Sequence, residues 1–297
     1  MRSLLVLPAI ALLVAAPAPA PPKPKTPSEI VAEAPVAAWQ AIDPADLLVM
    51  DLKGGGRVVI QLAPAFAPVH VGNIRALARA GYWQGAAIYR VQDNYVAQWG
   101  NGESEKPWPA GVNAKPPAEY ARPLKGLTVH PLGFSDAYAP RAGFVDGWPM
   151  TYDPKTGTAS LTHCYASVGV GRDLSPDTGT GGELYAVIGH APRHLDRNIA
   201  VVGRVIEGID RLSSLPRGTE ALGFYKERSS DVPIERIILA SEITAADRPA
   251  FEYLGTQSAA FGTFVRARAN RQDDFFIRPA GGVDVCNAPV PVRRKPA

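Results

Sequence analysis

The sequence lacks several features that indicate common classes of function. Its formal net charge is only +3, which is too small to indicate nucleic acid or an anionic membrane surface as a partner. The glycine-rich residues 179–182 are followed by no P-loop lysine, so they predict a turn rather than a phosphate site. His190 and His194 have the spacing of a helical metal pair, but Pro192 lies between them and no H-E-x-x-H glutamate accompanies them. We therefore expect no metal and no cofactor.

Long apolar runs are also scarce, and the one at the N-terminus has the pattern of a secretory signal. Arg2 supplies a positive charge, residues 4–16 form a short apolar stretch, and residues 18–20 read Ala-Pro-Ala, a small-residue cleavage site. A transmembrane anchor is the alternative, but this run is well short of the roughly 20 residues that span a bilayer. The pattern predicts a signal peptide over residues 1–20, export to the periplasm, and a mature chain without a membrane span.

Cys164 and Cys286 are the only two cysteines. Export would place them in an oxidising compartment, where two distant cysteines can form one disulfide. The alternative is a pair of buried free thiols, and only the distance between the two residues decides.

The rest of the sequence predicts a mainly β fold. Two β-branched runs, residues 47–52 and 57–62, flank a Gly-Gly-Gly turn and predict a hairpin. Pro68 begins an amphipathic helix that ends near Gly81. Further strands are expected over 87–97, 160–168, 184–188, 199–205 and 234–239, and short helices after Gly208 and over 258–271. Many strands with about two capping helices favour a closed antiparallel barrel.

These patterns divide the chain into four parts. The signal peptide is followed by a Pro/Ala-rich arm over residues 21–45, a barrel domain over 46–243 and a C-terminal extension over 244–297. Residues 124–158 within the domain are rich in Gly, Pro and aromatic residues without a clean period, and they predict a long loop insertion.

Residues 88–101 carry the most informative motif, IYRVQDNYVAQWGN. This segment resembles the cyclophilin signature, in which an aromatic-rich strand carries an arginine and a glutamine follows after a turn. Four more segments are similar to that family in the same order: residues 67–83, 117–120 (PAEY), 181–185 (GGELY) and 194–205. Residues 159–162 (ASLT) resemble the strand that enters the family's active face. Six motifs in order identify the chain as similar to the cyclophilin-type peptidyl-prolyl cis-trans isomerases, from about residue 47 to 243.

The resemblance implies a role for individual residues. Arg90 takes the place of the catalytic arginine, and Gln98 that of its glutamine partner. The implied substrate-binding residues, which line a proline pocket and the adjoining groove, are Tyr95, Val96, Cys164, Tyr165, Glu183, Tyr185, His194, Leu195 and Ile199.

Several of these residues depart from the family pattern. Tyr95 and Tyr185 replace phenylalanines, so their hydroxyls need partners if they are buried. His194 stands where the family often has tryptophan, and Ile199 replaces a histidine. Glu183 replaces a glutamine and places a negative charge near Arg90, for which it could compete.

The implied function is peptidyl-prolyl isomerisation of X–Pro bonds in unfolded or flexible polypeptides of the bacterial periplasm, assisting their folding. One alternative is a proline-peptide-binding chaperone of the same fold with little isomerase activity, which the changes at Glu183, Tyr185 and Ile199 favour. Another is an envelope-interaction protein whose C-terminal extension is the functional part.

Overall fold

A computed structural model describes residues 23–102 and 106–296 of the chain. The predicted signal peptide, residues 1–20, lies outside the described residues. The strands within these ranges are β1 Trp39–Ala41, β2 Leu47–Leu52, β3 Arg57–Leu62, β4 Ala87–Val91, β5 Val96–Gly100, β6 Arg122–Pro123, β7 His130–Pro131, β8 Arg141–Val145, β9 Trp148–Asp153, β10 Thr158–Leu161, β11 Ser167–Val170, β12 Leu184–Val187, β13 Val201–Glu207, β14 Val232–Leu239, β15 Phe251–Leu254 and β16 Val292–Arg294. The α-helices are α1 Pro27–Ala32, α2 Pro68–Arg79, α3 Ile209–Ser213 and α4 Ala259–Ala269.

Eight of these strands form a closed antiparallel barrel, which confirms the predicted fold class. Their order around the barrel is β11-β12-β5-β4-β14-β2-β3-β13, and β13 pairs back to β11. The first hairpin forms as predicted, and its register places Asp51 opposite Arg57 and Leu47 opposite Gln61. The glycines between the strands all have positive φ, which side chains with a Cβ rarely adopt. Closure leaves these eight strands without free edges.

Helix α2 packs on the barrel with the face that its apolar spacing predicts. Val71, Ile74 and Leu77 are fully buried in the same core cluster as the barrel interior. The carboxylate of Glu119 accepts hydrogen bonds from the backbone N–H groups of Val69 and His70, both at 2.9 Å. The PAEY segment therefore stabilises the N-terminus of α2, where unpaired N–H groups favour a negative charge. Among the described residues, no helix is long and apolar enough to cross a membrane.

A second sheet lies beside the barrel, in the order β6-β10-β9-β8-β7. The predicted long loop over residues 124–158 therefore contains three complete strands, the short β7 and the longer β8 and β9. Asp146 and Gly147 join them as a two-residue turn in which both residues have positive φ, 46° and 83°. Asp-Gly is a favoured sequence for this hairpin turn. The many Gly, Pro and aromatic residues obscured the strand pattern, although Phe144 and Met150 are fully buried.

The N-terminal arm and the C-terminal extension pack against each other. Strand β15 pairs with β1 on one side and β16 on the other. Ile30 of α1 shares a buried cluster with Phe261 and Phe264 of α4. Helix α4 also confirms the helix expected over residues 258–271.

A disulfide joins this C-terminal extension to the rest of the molecule. Cys164 and Cys286 are bonded, with their Cα atoms 5.0 Å apart. Of the two alternatives that the sequence leaves open, the structure has the disulfide.

Candidate active site

Arg90 and Gln98 face each other across the β4–β5 hairpin. They are direct partners in the strand register, and a register shift between Ile88 and Arg90 makes Tyr89 the extra residue of a β-bulge. Such a bulge redirects a side chain that would otherwise point to the opposite face of the sheet. As a result, Tyr89 and Arg90 both contact Gln98: Gln98 Nε2 donates to the Tyr89 hydroxyl at 2.7 Å, and Arg90 Nη1 donates to Gln98 Oε1 at 2.9 Å.

The Arg90 guanidinium is held on three sides. In addition to the bond from Nη1 to Gln98, Nη2 donates to Gln92 Oε1 and Nε donates to the carbonyl oxygen of Leu222, each at 2.7 Å. An arginine has five N–H donors, and two of those of Arg90 have no acceptor among the described residues. The side chain is partly buried, and burial lowers its pKa. Arginine nevertheless remains protonated near neutrality, so the site has a fixed cation with spare donors.

An apolar cluster lies next to this cation, where the resemblance places the proline pocket. Val96, Tyr185 and Val187 are buried there, and Tyr95, Leu195 and Ile199 pack against them. The Arg90 guanidinium lies 5.8 Å from the centre of the Tyr95 ring, within the range of a cation–π interaction. His194 is exposed at the mouth, where its ring stacks on Tyr95 with centroids 6.4 Å apart. The structure thus brings together Arg90, Gln98 and six of the predicted substrate-binding residues: Tyr95, Val96, Tyr185, His194, Leu195 and Ile199.

The hydroxyl of Tyr185 has the partner that its burial requires. His163 Nε2 lies 2.9 Å from it, and His163 Nδ1 lies 3.0 Å from Asp196 Oδ1. Arg193 donates to Asp196 through Nε and to Asp136 through both terminal nitrogens, at 3.0 and 3.1 Å. This network of buried hydrogen bonds holds the Tyr185 side chain in place.

Glu183 lies beside the site but is separated from Arg90 by two side chains. Its carboxylate accepts hydrogen bonds from the Tyr89 hydroxyl and, at 3.2 Å, from the Gly102 amide. Burial raises the pKa of Glu183 to about 7, while burial and then the Glu183 charge raise the pKa of Tyr89. Among the described residues Glu183 is linked to Arg90 only through Tyr89 and Gln98, so the direct competition for Arg90 that the sequence suggested is not seen.

Two of the predicted substrate-binding residues lie elsewhere. Cys164 is in the disulfide, and Tyr165, 48% exposed, lines a separate cavity together with Cys286. The ASLT segment on which their assignment depended is β10 of the second sheet, not a barrel strand. The barrel strand that leads to the site is β11, and the residues after it, Gly171 and Arg172, line a groove of about 740 Å³ with Gln98 and Glu183. Both strands are four-residue runs of small and apolar residues, so the sequence pattern alone did not distinguish them.

Sequence reasoning also missed the segment that closes the groove on the other side. Leu222 has a positive φ of 59° and supplies the carbonyl that binds Arg90 Nε. Phe224 follows, lining the groove, and its ring centroid lies 5.6 Å from the Arg90 guanidinium. No residue type at these positions signals a contact made by a backbone carbonyl, so this contact had no sequence signature.

The closed barrel, with an arginine beside an apolar pocket, has the architecture of a cyclophilin fold. The crystal structure of cyclophilin AquaCyp293 from Hirschia baltica is similar with a TM-score of 0.67 at 24% identity, covering 86% of this chain and 93% of that one. Residues 47–239 match the sequence model of the family described as cyclophilin type peptidyl-prolyl cis-trans isomerase/CLD. The chain therefore belongs to this family and is a peptidyl-prolyl isomerase.

Curated relatives agree with this assignment. A probable peptidyl-prolyl cis-trans isomerase of Brucella suis biovar 1 (strain 1330) is 27% identical over 181 residues, which are 61% of this chain and 76% of the relative. Peptidyl-prolyl cis-trans isomerase-like 2 of Gibberella zeae is 29% identical over 160 residues, 54% of this chain but only 21% of that protein.

Proposed function

We propose that this isomerase acts on X–Pro bonds of unfolded or flexible polypeptides in the bacterial periplasm, with Arg90 as its central catalytic residue. The observation that carries the proposal is a fixed guanidinium beside an apolar cluster, with two N–H donors that have no acceptor among the described residues. Export is supported by the signal-like residues 1–20 and by the Cys164–Cys286 disulfide, which suits an oxidising compartment.

The chemistry requires rotation about an amide bond and no bond cleavage. Amide resonance sets a rotational barrier of about 18–20 kcal/mol. As the bond twists, the prolyl nitrogen regains a lone pair and becomes a better hydrogen-bond acceptor. A free N–H of Arg90 donates to this nitrogen or to the adjoining carbonyl more strongly in the twisted state than in either planar isomer. An interaction made mainly in the transition state raises the rate.

The pocket supplies the rest of the stabilisation. Val96, Leu195 and Ile199 hold the proline ring and exclude water, and this strengthens the electrostatic contribution of Arg90. Gln98 and Gln92 keep the guanidinium plane in one orientation. Lowering the barrier by about 7 kcal/mol would accelerate rotation roughly 10^5-fold, which is more than one charge-assisted hydrogen bond provides. Pocket shape and backbone contacts must therefore contribute.

Two measurements test the proposal. Proline-peptide isomerisation by the purified mature chain tests the activity, and refolding of a protein limited by proline isomerisation tests the folding role; no acceleration of either would contradict it. For location, the full chain is produced in a Gram-negative host, fractionated and N-terminally sequenced. We expect periplasmic protein that begins near Pro21, and cytoplasmic protein when Leu12→Arg interrupts the apolar stretch. A full-length wild-type chain in the cytoplasm would contradict export.

A further inference from the structure

A second cavity, of about 330 Å³, lies between the barrel, the second sheet and the C-terminal extension. Trp148 of β9 and Leu161 of β10 line it from the second sheet, and Ile206 and Ile209 from the barrel side. The extension contributes Val290 and the Cys164–Cys286 disulfide. The cavity shares no lining residue with the groove or with the apolar pocket beside Arg90.

Arg204 of β13 is the only charged residue that lines this cavity among the described residues. Its Nε and Nη2 both donate to Gln61 Oε1, at 3.1 and 2.8 Å, and its guanidinium lies 4.8 Å from the centre of the Trp148 ring. No carboxylate in the described part of the chain forms an ion pair with it, and Nη1 has no hydrogen-bond acceptor there.

This isolation is unusual for an arginine in apolar surroundings. The other arginine enclosed near this face, Arg193, pairs with both Asp136 and Asp196. Burial lowers the pKa of Arg204 to about 10, so the side chain is still a cation at neutral pH. The side chain is part-buried and has no counter-ion among the described residues, so an incoming anion would offset the hydration that the guanidinium loses in this apolar setting.

We propose that this cavity binds an amphiphilic monocarboxylate, whose single carboxylate pairs with Arg204 while its apolar chain fills the space between the two sheets. The planar guanidinium matches carboxylate geometry through two parallel N–H donors. The walls offer no second cation, so a dianion would bring an unpaired charge. A volume of about 330 Å³ is at the small end of the range for ligand pockets, roughly 300–1,000 Å³, which favours one short chain.

The test measures calorimetric binding of decanoate, 1-decanol and decylammonium to the mature protein with its disulfide intact, all below their micellar concentrations. We expect decanoate to bind at least tenfold more tightly than decanol, and decylammonium not to bind. Equal affinities for decanoate and decanol, or no binding of either, would overturn the proposal without any variant.

Variants then locate the site. Arg204→Gln should weaken decanoate binding at least tenfold and leave decanol unchanged, while Val290→Phe, which fills the cavity, should abolish both. Arg236→Gln removes the same charge from an exposed barrel position that pairs with Asp51 and should bind decanoate as the wild type does. Unchanged decanoate affinity in folded Arg204→Gln would show that Arg204 serves only to pack against Trp148.

Discussion

The Tyr185 hydroxyl lies 2.9 Å from Nε2 of the fully buried His163, so a residue of the proline pocket also completes a buried polar network. In Tyr185→Phe the aromatic wall of the pocket remains, but a buried imidazole nitrogen loses its partner. We expect a loss of about 1–3 kcal/mol in the free energy of unfolding, with isomerisation efficiency within a few fold of wild type. Urea unfolding checks this, with the half-buried Tyr95→Phe as control, for which we expect a change below about 0.5 kcal/mol. Equal effects of the two substitutions would show that the His163 contact contributes nothing.

Glu183 should make stability depend on pH. Its folded pKa of about 7 is above the ordinary value of 4.5, so the folded state binds more protons than the unfolded state between these values. The free energy of unfolding should therefore fall as pH rises from about 4.5 to 7. Over this pH range the free energy of unfolding of Glu183→Gln should fall by about 2–3 kcal/mol less than that of the wild type. Urea titrations from pH 4 to 8 measure it, with the exposed Glu235→Gln as control. A wild-type slope that persists in Glu183→Gln would assign the dependence to another group.

The Cys164–Cys286 disulfide closes a segment of 122 residues and fastens the extension to the molecule. Replacing both cysteines by serine should cost about 2–5 kcal/mol of stability. The proline pocket is formed by other residues, so the folded variant should isomerise peptides at the wild-type rate. Thermal unfolding with and without reductant gives the comparison, and reduced wild type should match the double variant. Two freely alkylated thiols in the non-reduced wild type would contradict the pairing.

Leu195 should matter more for activity than for stability. It is only partly buried and packs at the edge of the pocket, so Leu195→Ala should cost less than about 2 kcal/mol, the lower limit for a fully buried leucine. Leu184, which is fully buried in strand β12, is the matched control. Leu184→Ala should lower the free energy of unfolding by about 2–5 kcal/mol. We expect the larger loss of kcat/KM per folded molecule in Leu195→Ala. The reverse order would make Leu195 a core residue.

The features that depend on the pattern of nearby residues could be predicted from the sequence. The 47–62 hairpin follows from two β-branched runs and a glycine turn, and the Arg90–Gln98 pair follows from a signature with fixed spacing across one hairpin. Contacts between distant segments were harder to predict. The carbonyl of Leu222 reaches Arg90 from 132 residues away in sequence. Strand β10 belongs to the second sheet, and no local pattern distinguishes it from a barrel strand. The Asp146-Gly147 turn did carry a signal, which the surrounding Gly and Pro residues masked.

The role of Arg90 is the central claim, and the isomerisation rate of three folded proteins tests it most directly: wild type, Arg90→Ala and Arg90→Lys. Arg90→Ala should lower kcat/KM at least tenfold, which corresponds to about 1.4 kcal/mol of transition-state stabilisation, while ground-state peptide affinity changes less. Lysine should rescue poorly, because it cannot reproduce the planar fork that Gln98, Gln92 and the Leu222 carbonyl hold in place. Circular dichroism confirms folding. Equal rates in all three proteins would contradict a catalytic role for Arg90.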